Sequence, residues 1–208
     1  MSTTVNRGTI ISAALDLVGR EGIGALTMRR LATEMGTKPM TLYYHVPNKE
    51  ALLQELLDRT ASDIPWTTAT GEPRDRMVSV IVEMAEQLAR IDWIVPVLRT
   101  ATRVGAPALT LQNQFVEAAF ELGATEQQAL DTWRSCWYLV SSDLMWQRTK
   151  RDRGDGEGSW HETIDPDEID NAPTIRRLLP QLSELSDHYD LGHAVADQID
   201  GAVARWRR

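Results

Sequence analysis

Between residues 27 and 49 the chain sets Arg29, Arg30, Lys38 and Lys49 among Thr27, Thr41, Tyr43, Tyr44 and His45, with Glu34 as the sole acid before Glu50. These side chains suit holding rather than bond-making. Lysine and arginine neutralise phosphate. An arginine fork reaches guanine O6 and N7, and threonine or methionine meets the thymine methyl. The net charge of −8 has the same sign as a polyanionic partner, but its distribution matters more than its sum. Residues 1–60 carry seven Lys/Arg and six Asp/Glu, and the remainder fifteen and twenty-four. A local basic patch is therefore expected on an acidic body, which discourages loose association through other faces.

Catalytic constellations are not legible. Cys136 lies between tryptophans with no histidine nearby in sequence, and reads as a buried apolar residue rather than a nucleophile. No Gly-rich phosphate loop, GxSxG or HExxH occurs. Paired carboxylates gather over 150–170, among glycines, where fixed geometry is hard to hold. The expectation is a non-enzyme without a cofactor. One cysteine allows neither an intrachain disulfide nor a cysteine zinc cluster. No apolar run approaches the roughly 20 residues of a spanning helix. Met1–Arg7 is polar and lacks the apolar core of a secretory signal. A reduced, cytoplasmic setting without a membrane partner is the reading.

The elements that position the basic segment are helical. Apolar residues recur at steps of three and four, and period-two alternation is absent, so the fold class is all-α. A first helix is expected over Gly8–Arg20, ended by Gly22 and Gly24. Thr27 caps a second, 28–35, broken by Gly36. A short third, 38–44, begins with Pro39 in its first turn and is closed by Pro47. Asn48 caps a fourth, Lys49–Ser62. After a connector with Pro65, Gly71 and Pro73, helices are expected over 74–91, 93–103 and 107–122. Thr125 with Gln128 forms a capping box for another, to about Arg148. Residues 150–173, rich in glycine and acid, read as a mobile loop. Two helices follow, 174–186 and 191–207. The chain divides into a small N-terminal domain, 1–62, and a larger body, 63–208.

A helix, a glycine turn and a second short helix can project a recognition helix into the major groove. By pattern alone, 27–45 reads either that way or as a small core helix with solvated polar groups, anchored by Leu42. The run Leu26-Thr-Met-Arg-Arg-Leu-Ala, followed by Gly36-Thr-Lys-Pro-Met-Thr-Leu-Tyr-Tyr-His-Val-Pro-Asn-Lys-Glu-Ala-Leu-Leu53, resembles the DNA-binding segment of the TetR family, closest to its tetracycline-repressor branch. Leu111-Gln-Asn-Gln and Gly123 with Gln128-Ala-Leu130 are similar to that branch's C-terminal domain. The resemblance implies double-stranded, palindromic operator DNA as a partner. It places Thr27, Tyr43, His45 and Lys49 at phosphate-contacting positions, and Arg29, Pro39, Met40, Thr41 and Tyr44 at positions facing base edges. Lys38 completes the DNA-binding set. Tyr43 could instead be a packing aromatic, and His45 a turn residue.

The resemblance further implies a C-terminal body that forms a homodimer through 126–148 and 191–207 and holds a small-molecule effector. Trp133 and Trp137 share a helix face and read either as a pocket wall or as plain core. Met84, Leu88, Trp93 and Phe115 are further lining candidates. Tetracycline repressors hold a metal-chelated drug with pocket histidines. Here histidine occurs only at 45, 161, 188 and 193, so no metal site is expected and the effector reads as apolar or aromatic. The expected function is a ligand-responsive transcription regulator, a repressor released by its effector. The alternatives are an activator, or a helical small-molecule binder without DNA binding.

Overall fold

The computed structural model describes residues 5–100, 105–153, 163–166 and 169–206. Every described regular element is a helix. The N-terminal head holds α1 (Arg7–Glu21), α2 (Met28–Glu34), α3 (Pro39–His45) and most of α4 (Lys49–Asp63). The body holds α5 (Pro73–Ala89), α6 (Ile94–Thr100), α7 (Leu109–Glu121), α8 (Glu126–Arg153), α9 (Pro173–Leu178), α10 (Leu182–Asp187) and α11 (Leu191–Trp206).

Local chemistry fixes the head's boundaries. Asn6 and Thr9 form a reciprocal capping box at α1, the Asn6 side chain accepting from Thr9 N at 2.9 Å and Thr9 Oγ1 from Asn6 N at 3.0 Å. Thr27 accepts from Arg30 N at 3.0 Å to cap α2, and Asn48 from Ala51 N at 2.7 Å to cap α4. Pro39 opens α3, where a missing N–H costs no hydrogen bond. Gly36 ends α2 with φ of +63°, a conformation in which a Cβ is strained. Inward faces are fully buried: Ile10, Ala14 and Leu17 of α1, Leu31 of α2, Leu42 of α3, and Leu52 and Leu56 of α4.

In the body, α5 is packed by α7, α8 and α11. Met77, Val80 and Ile81 meet Leu111, Phe115, Cys136, Val140, Val195 and Ile199 in one continuous core. The Thr125–Gln128 capping box opens α8 as expected, with Thr125 N donating to Gln128 Oε1 at 2.8 Å. Three expectations differ. α8 runs on to Arg153, so 150–153 are helix rather than loop. Arg148 pairs with Asp152 one turn on, and Arg151 with Asp92 in the turn between α5 and α6, which together hold that extra turn. The 174–186 helix is two short helices separated by a 3-10 turn at Leu179–Gln181, because Pro180 cannot donate the next helical bond. The first turn of the 107–122 helix is likewise a 3-10 turn, Ala106–Ala108. Residues 154–162 and 167–168 of the expected mobile loop lie outside the described residues, as do 101–103 of the expected 93–103 helix.

The connector between α4 and α5 is pinned. Glu83 accepts from Thr67 N at 2.8 Å and Thr67 Oγ1 at 2.7 Å. Gln114 accepts from Ala69 N at 2.8 Å and donates to the Thr67 carbonyl at 3.2 Å. The Trp66 indole N–H donates to the Ala61 carbonyl at 2.9 Å, folding the connector back on α4.

Candidate nucleic-acid interface and ligand cavity

α3 has seven residues and buries one, Leu42. A helix that short does not persist alone, so Leu42 is the contact that fixes its angle on the head. What remains points outward: Met40 is 78% exposed, Tyr44 88% and Tyr43 45%. Lys38 and Pro39 are exposed at its start, while Thr41 and His45 are half-buried. Tyr43 is therefore not a packing aromatic. His45 sits edge-on to Tyr44, ring centroids 5.2 Å apart. Thr27, Arg29 and Lys49, from the starts of α2 and α4, are exposed as well.

The four cations of the segment separate into two kinds. Arg30 donates to Glu21 at 2.6 Å and to Glu34 at 2.8 Å, and Arg20 donates to Glu34 at 2.5 Å. The pairing with Glu21 and Glu34 raises the Arg30 pKa, and Arg20 and Arg30 lower that of Glu34. Arg30 thus ties the end of α1 to α2 and does not belong to a free basic patch, correcting that part of the sequence reading. Arg29, Lys38 and Lys49 form no salt bridge among the described residues and remain available to phosphate or base edges. Lys49 lies in the first turn of α4, where backbone N–H groups also favour an anion.

A second site lies at the junction of head and body. A cavity of about 300 Å³ is lined by Leu57 and Ala61 of α4, Trp66 of the connector, Met84 and Leu88 of α5, Ile94 and Leu98 of α6, Leu111 and Gln112 of α7, and Trp133 and Trp137 of α8. Among the sequence candidates, Met84, Leu88, Trp133 and Trp137 line it. Trp93 and Phe115 do not. Phe115 is fully buried one turn along α7 from Leu111, its ring edge-on to Trp133 at 5.4 Å, and so backs the wall from behind. Trp93 is 7% exposed in the turn before α6, and Ile94 and Leu98 take the cavity face instead. Leu57, Ala61 and Trp66 escape a sequence reading because they belong to the head helix and the connector. Trp66 alone carried a signal, as an aromatic in a Pro-flanked linker. No ionisable side chain is among the described lining residues.

Cys136 is fully buried beside this wall without lining it, and burial pushes its thiol pKa up to about 12. At neutral pH it is a small apolar core residue.

α4 touches the body chiefly at the Ala106–Ala108 turn. Gly105, just before it, approaches α4 so closely that a Cβ there would stand 2.8 Å from the Leu57 carbonyl oxygen and 3.0 Å from Ala61 Cβ. Asp58 of α4 accepts from Ala106 N at 3.1 Å, securing the same contact. This turn is the main contact of α4 with the body.

A family profile described as "Bacterial regulatory proteins, tetR family" matches residues 10–56, the span of the capped head helices. The HTH-type transcriptional repressor DrrR1 of Streptomyces coeruleorubidus is 28% identical over 60% of this chain, which spans just 47% of that protein's length. The tetracycline repressor protein class A from transposon 1721, of Escherichia coli, is 26% identical over 98% of this chain and 93% of its own. ActR from Streptomyces coelicolor, solved without ligand, superposes with a TM-score of 0.74 at 18% identity, covering 100% of this chain and 99% of that one. ActR has also been solved in complex with actinorhodin, with a TM-score of 0.70 at 17% identity, covering 99% of this chain and 96% of that one. Those two structures share the fold across both head and body, and the profile and the repressors carry the head's sequence. Residues 10–56 thus carry a tetR-family N-terminal segment, and the chain as a whole shares its fold with ActR.

Proposed function

We propose that the chain is a ligand-responsive, DNA-binding transcription regulator, a repressor whose operator affinity falls when a small aromatic molecule enters the cavity. The observation that carries this reading is α4. Its Leu52 and Leu56 sit in the core of the head, while Leu57 and Ala61 of the same helix wall the cavity. The division falls within this helix, with 1–62 as the reading head and 63–208 as the effector and dimer body. A ligand that favours a different α4 position lowers DNA affinity, and DNA lowers ligand affinity by the same factor. The likeness to ActR, which binds actinorhodin in its own structure, supports an aromatic effector.

In this reading Thr27, Tyr43, His45 and Lys49 contact phosphate, and Arg29, Pro39, Met40, Thr41 and Tyr44 face base edges, with Lys38 beside them. Two substitutions separate the roles. Lys49→Ala is expected to weaken binding to all sequences alike and to reduce the slope of log affinity against log salt by about one per head. Arg29→Ala is expected to relax discrimination at one base pair by roughly 1–3 kcal/mol. Selection from a randomised duplex library, repeated at several salt concentrations, checks both. An unchanged preferred sequence for Arg29→Ala would remove it from the base-reading set.

The working unit is a homodimer through α8 and α11, so that two heads read a palindrome. Tyr138, Trp146, Leu185 and Tyr189 remain exposed around one groove on and beside α8, an apolar surface that a second copy would cover. Light scattering at micromolar concentration should give the dimer mass, and Tyr138→Glu with Trp146→Glu should shift it toward monomer. A wild-type monomer mass at that concentration rejects the dimer.

A further inference from the structure

Two glutamines stand two residues apart on α7 and do different work. Gln114 spends its amide on the connector, bonding Ala69 N and the Thr67 carbonyl. Gln112 lines the cavity, and its side-chain amide makes no hydrogen bond among the described residues. The tryptophans divide similarly. The Trp66 indole N–H is committed to the Ala61 carbonyl, while those of Trp133 and Trp137 have no partner among the described residues. All the other described lining residues are apolar or glycine.

We infer that Gln112 is the specificity-determining residue of the cavity, selecting an uncharged aromatic ligand that carries a carbonyl or hydroxyl group and rejecting carboxylates and amines. This rests on the cavity being the effector site, and sharpens it to one ligand chemistry. An apolar wall with one or two placed polar groups orients a ligand by those groups. A carboxamide serves either polarity, since its N–H₂ donates to a ligand carbonyl and its oxygen accepts from a ligand hydroxyl. A charged ligand would leave water without a countercharge among the described lining residues, and that desolvation is costly. Gln112 also sits one turn from Leu109, which lines the cavity and is 50% exposed. The amide therefore lies near the side that opens to solvent, where the polar end of an entering ligand comes to rest.

Equilibrium dialysis of the full chain against fluorenone, fluorene and fluorenone carboxylate tests this, because the three share one ring frame and differ in polar group. Wild type should retain fluorenone about five- to tenfold more tightly than fluorene, the worth of one hydrogen bond, and should not retain the carboxylate. Gln112→Leu should bring fluorenone down to the level of fluorene while leaving fluorene unchanged. Gln112→Lys should admit the carboxylate. Leu109→Arg, at the exposed rim, should weaken both neutral probes and so locate them in the cavity. A fluorenone preference that survives Gln112→Leu overturns the assignment, as does equal retention of fluorenone and fluorene by wild type. Either result leaves the cavity standing as the effector site if Leu109→Arg still weakens both. No retention of either neutral probe by wild type, or retention indifferent to Leu109→Arg, overturns the cavity reading and the Gln112 assignment together.

Discussion

Leu42→Ala is expected to abolish operator binding while leaving the cavity intact. Leu42 is fully exposed to neighbours and not at all to solvent, the single buried residue of α3. Truncating a buried leucine to alanine costs about 2–5 kcal/mol, and a seven-residue helix has no reserve of its own to absorb that loss. The deficit falls on the element that holds Met40, Tyr43 and Tyr44 outward. α3 packs chiefly on α2, whereas Met77, Ile81, Phe115 and Ile199 lie on α5, α7 and α11, which pack on one another and on α8. Fluorescence anisotropy with an operator duplex should show a loss of at least about thirtyfold, since 1.4 kcal/mol is a factor of ten. Retention of fluorenone by dialysis should stay as in wild type. An operator affinity within about threefold of wild type would mean that α3 is not the reading element.

Gly105→Ala is expected to disturb both domains from one methyl group. The backbone at Gly105 has φ of −60° and ψ of 129°, which alanine adopts without strain, so the effect is one of space alone. The new Cβ would meet the Leu57 carbonyl oxygen at 2.8 Å and Ala61 Cβ at 3.0 Å, and a helix backbone cannot swing aside as a side chain does. α4 must move as a unit or the turn must retreat. Overpacking of this kind costs typically about 1–3 kcal/mol. If α4 moves, the reading head moves with it, because Leu52 and Leu56 are locked into the head's core. The expected result is a lower melting temperature together with weakened operator binding in the absence of any ligand. A lowered melting temperature with unchanged operator affinity would show that the 105–108 turn stabilises the body without steering the head.

The features legible from sequence were those set by neighbours in the chain. Thr27, Asn48 and Thr125 act as caps where their spacing predicts, Gly36 breaks α2 and Pro39 opens the short helix, because each of these effects spans only three or four residues. The misreadings have two causes. Pro180 divides the expected 174–186 helix because it lacks the N–H donor the next helical bond needs. Arg30 and the cavity needed tertiary knowledge. Arg30 is held by Glu34 within the segment and by Glu21 on the preceding helix, and a charge count over 27–49 stops short of the second. The cavity draws on Leu57, Trp66, Leu98 and Trp137, segments that no local period brings together. Phe115 and Trp133 share the core, yet only one faces the space, a difference of side-chain direction that residue type does not encode.

The pinned connector bears on how two heads would act together. Held to α5 by Glu83, to α7 by Gln114 and to α4 through Trp66, residues 64–72 are not a slack tether. In the proposed dimer each head is a monovalent binder, and joining two on a stiff frame makes the second engagement intramolecular. Such avidity can exceed a single contact on the order of 10²–10⁴-fold, and it vanishes when geometry forbids simultaneous engagement. A loose linker would let each head search for its half-site whatever the body does, and an effector could then achieve little. With no slack, a small displacement of α4 need not damage either reading surface to cause release. It only has to make the pair the wrong width for the duplex, leaving two intact but separate weak binders.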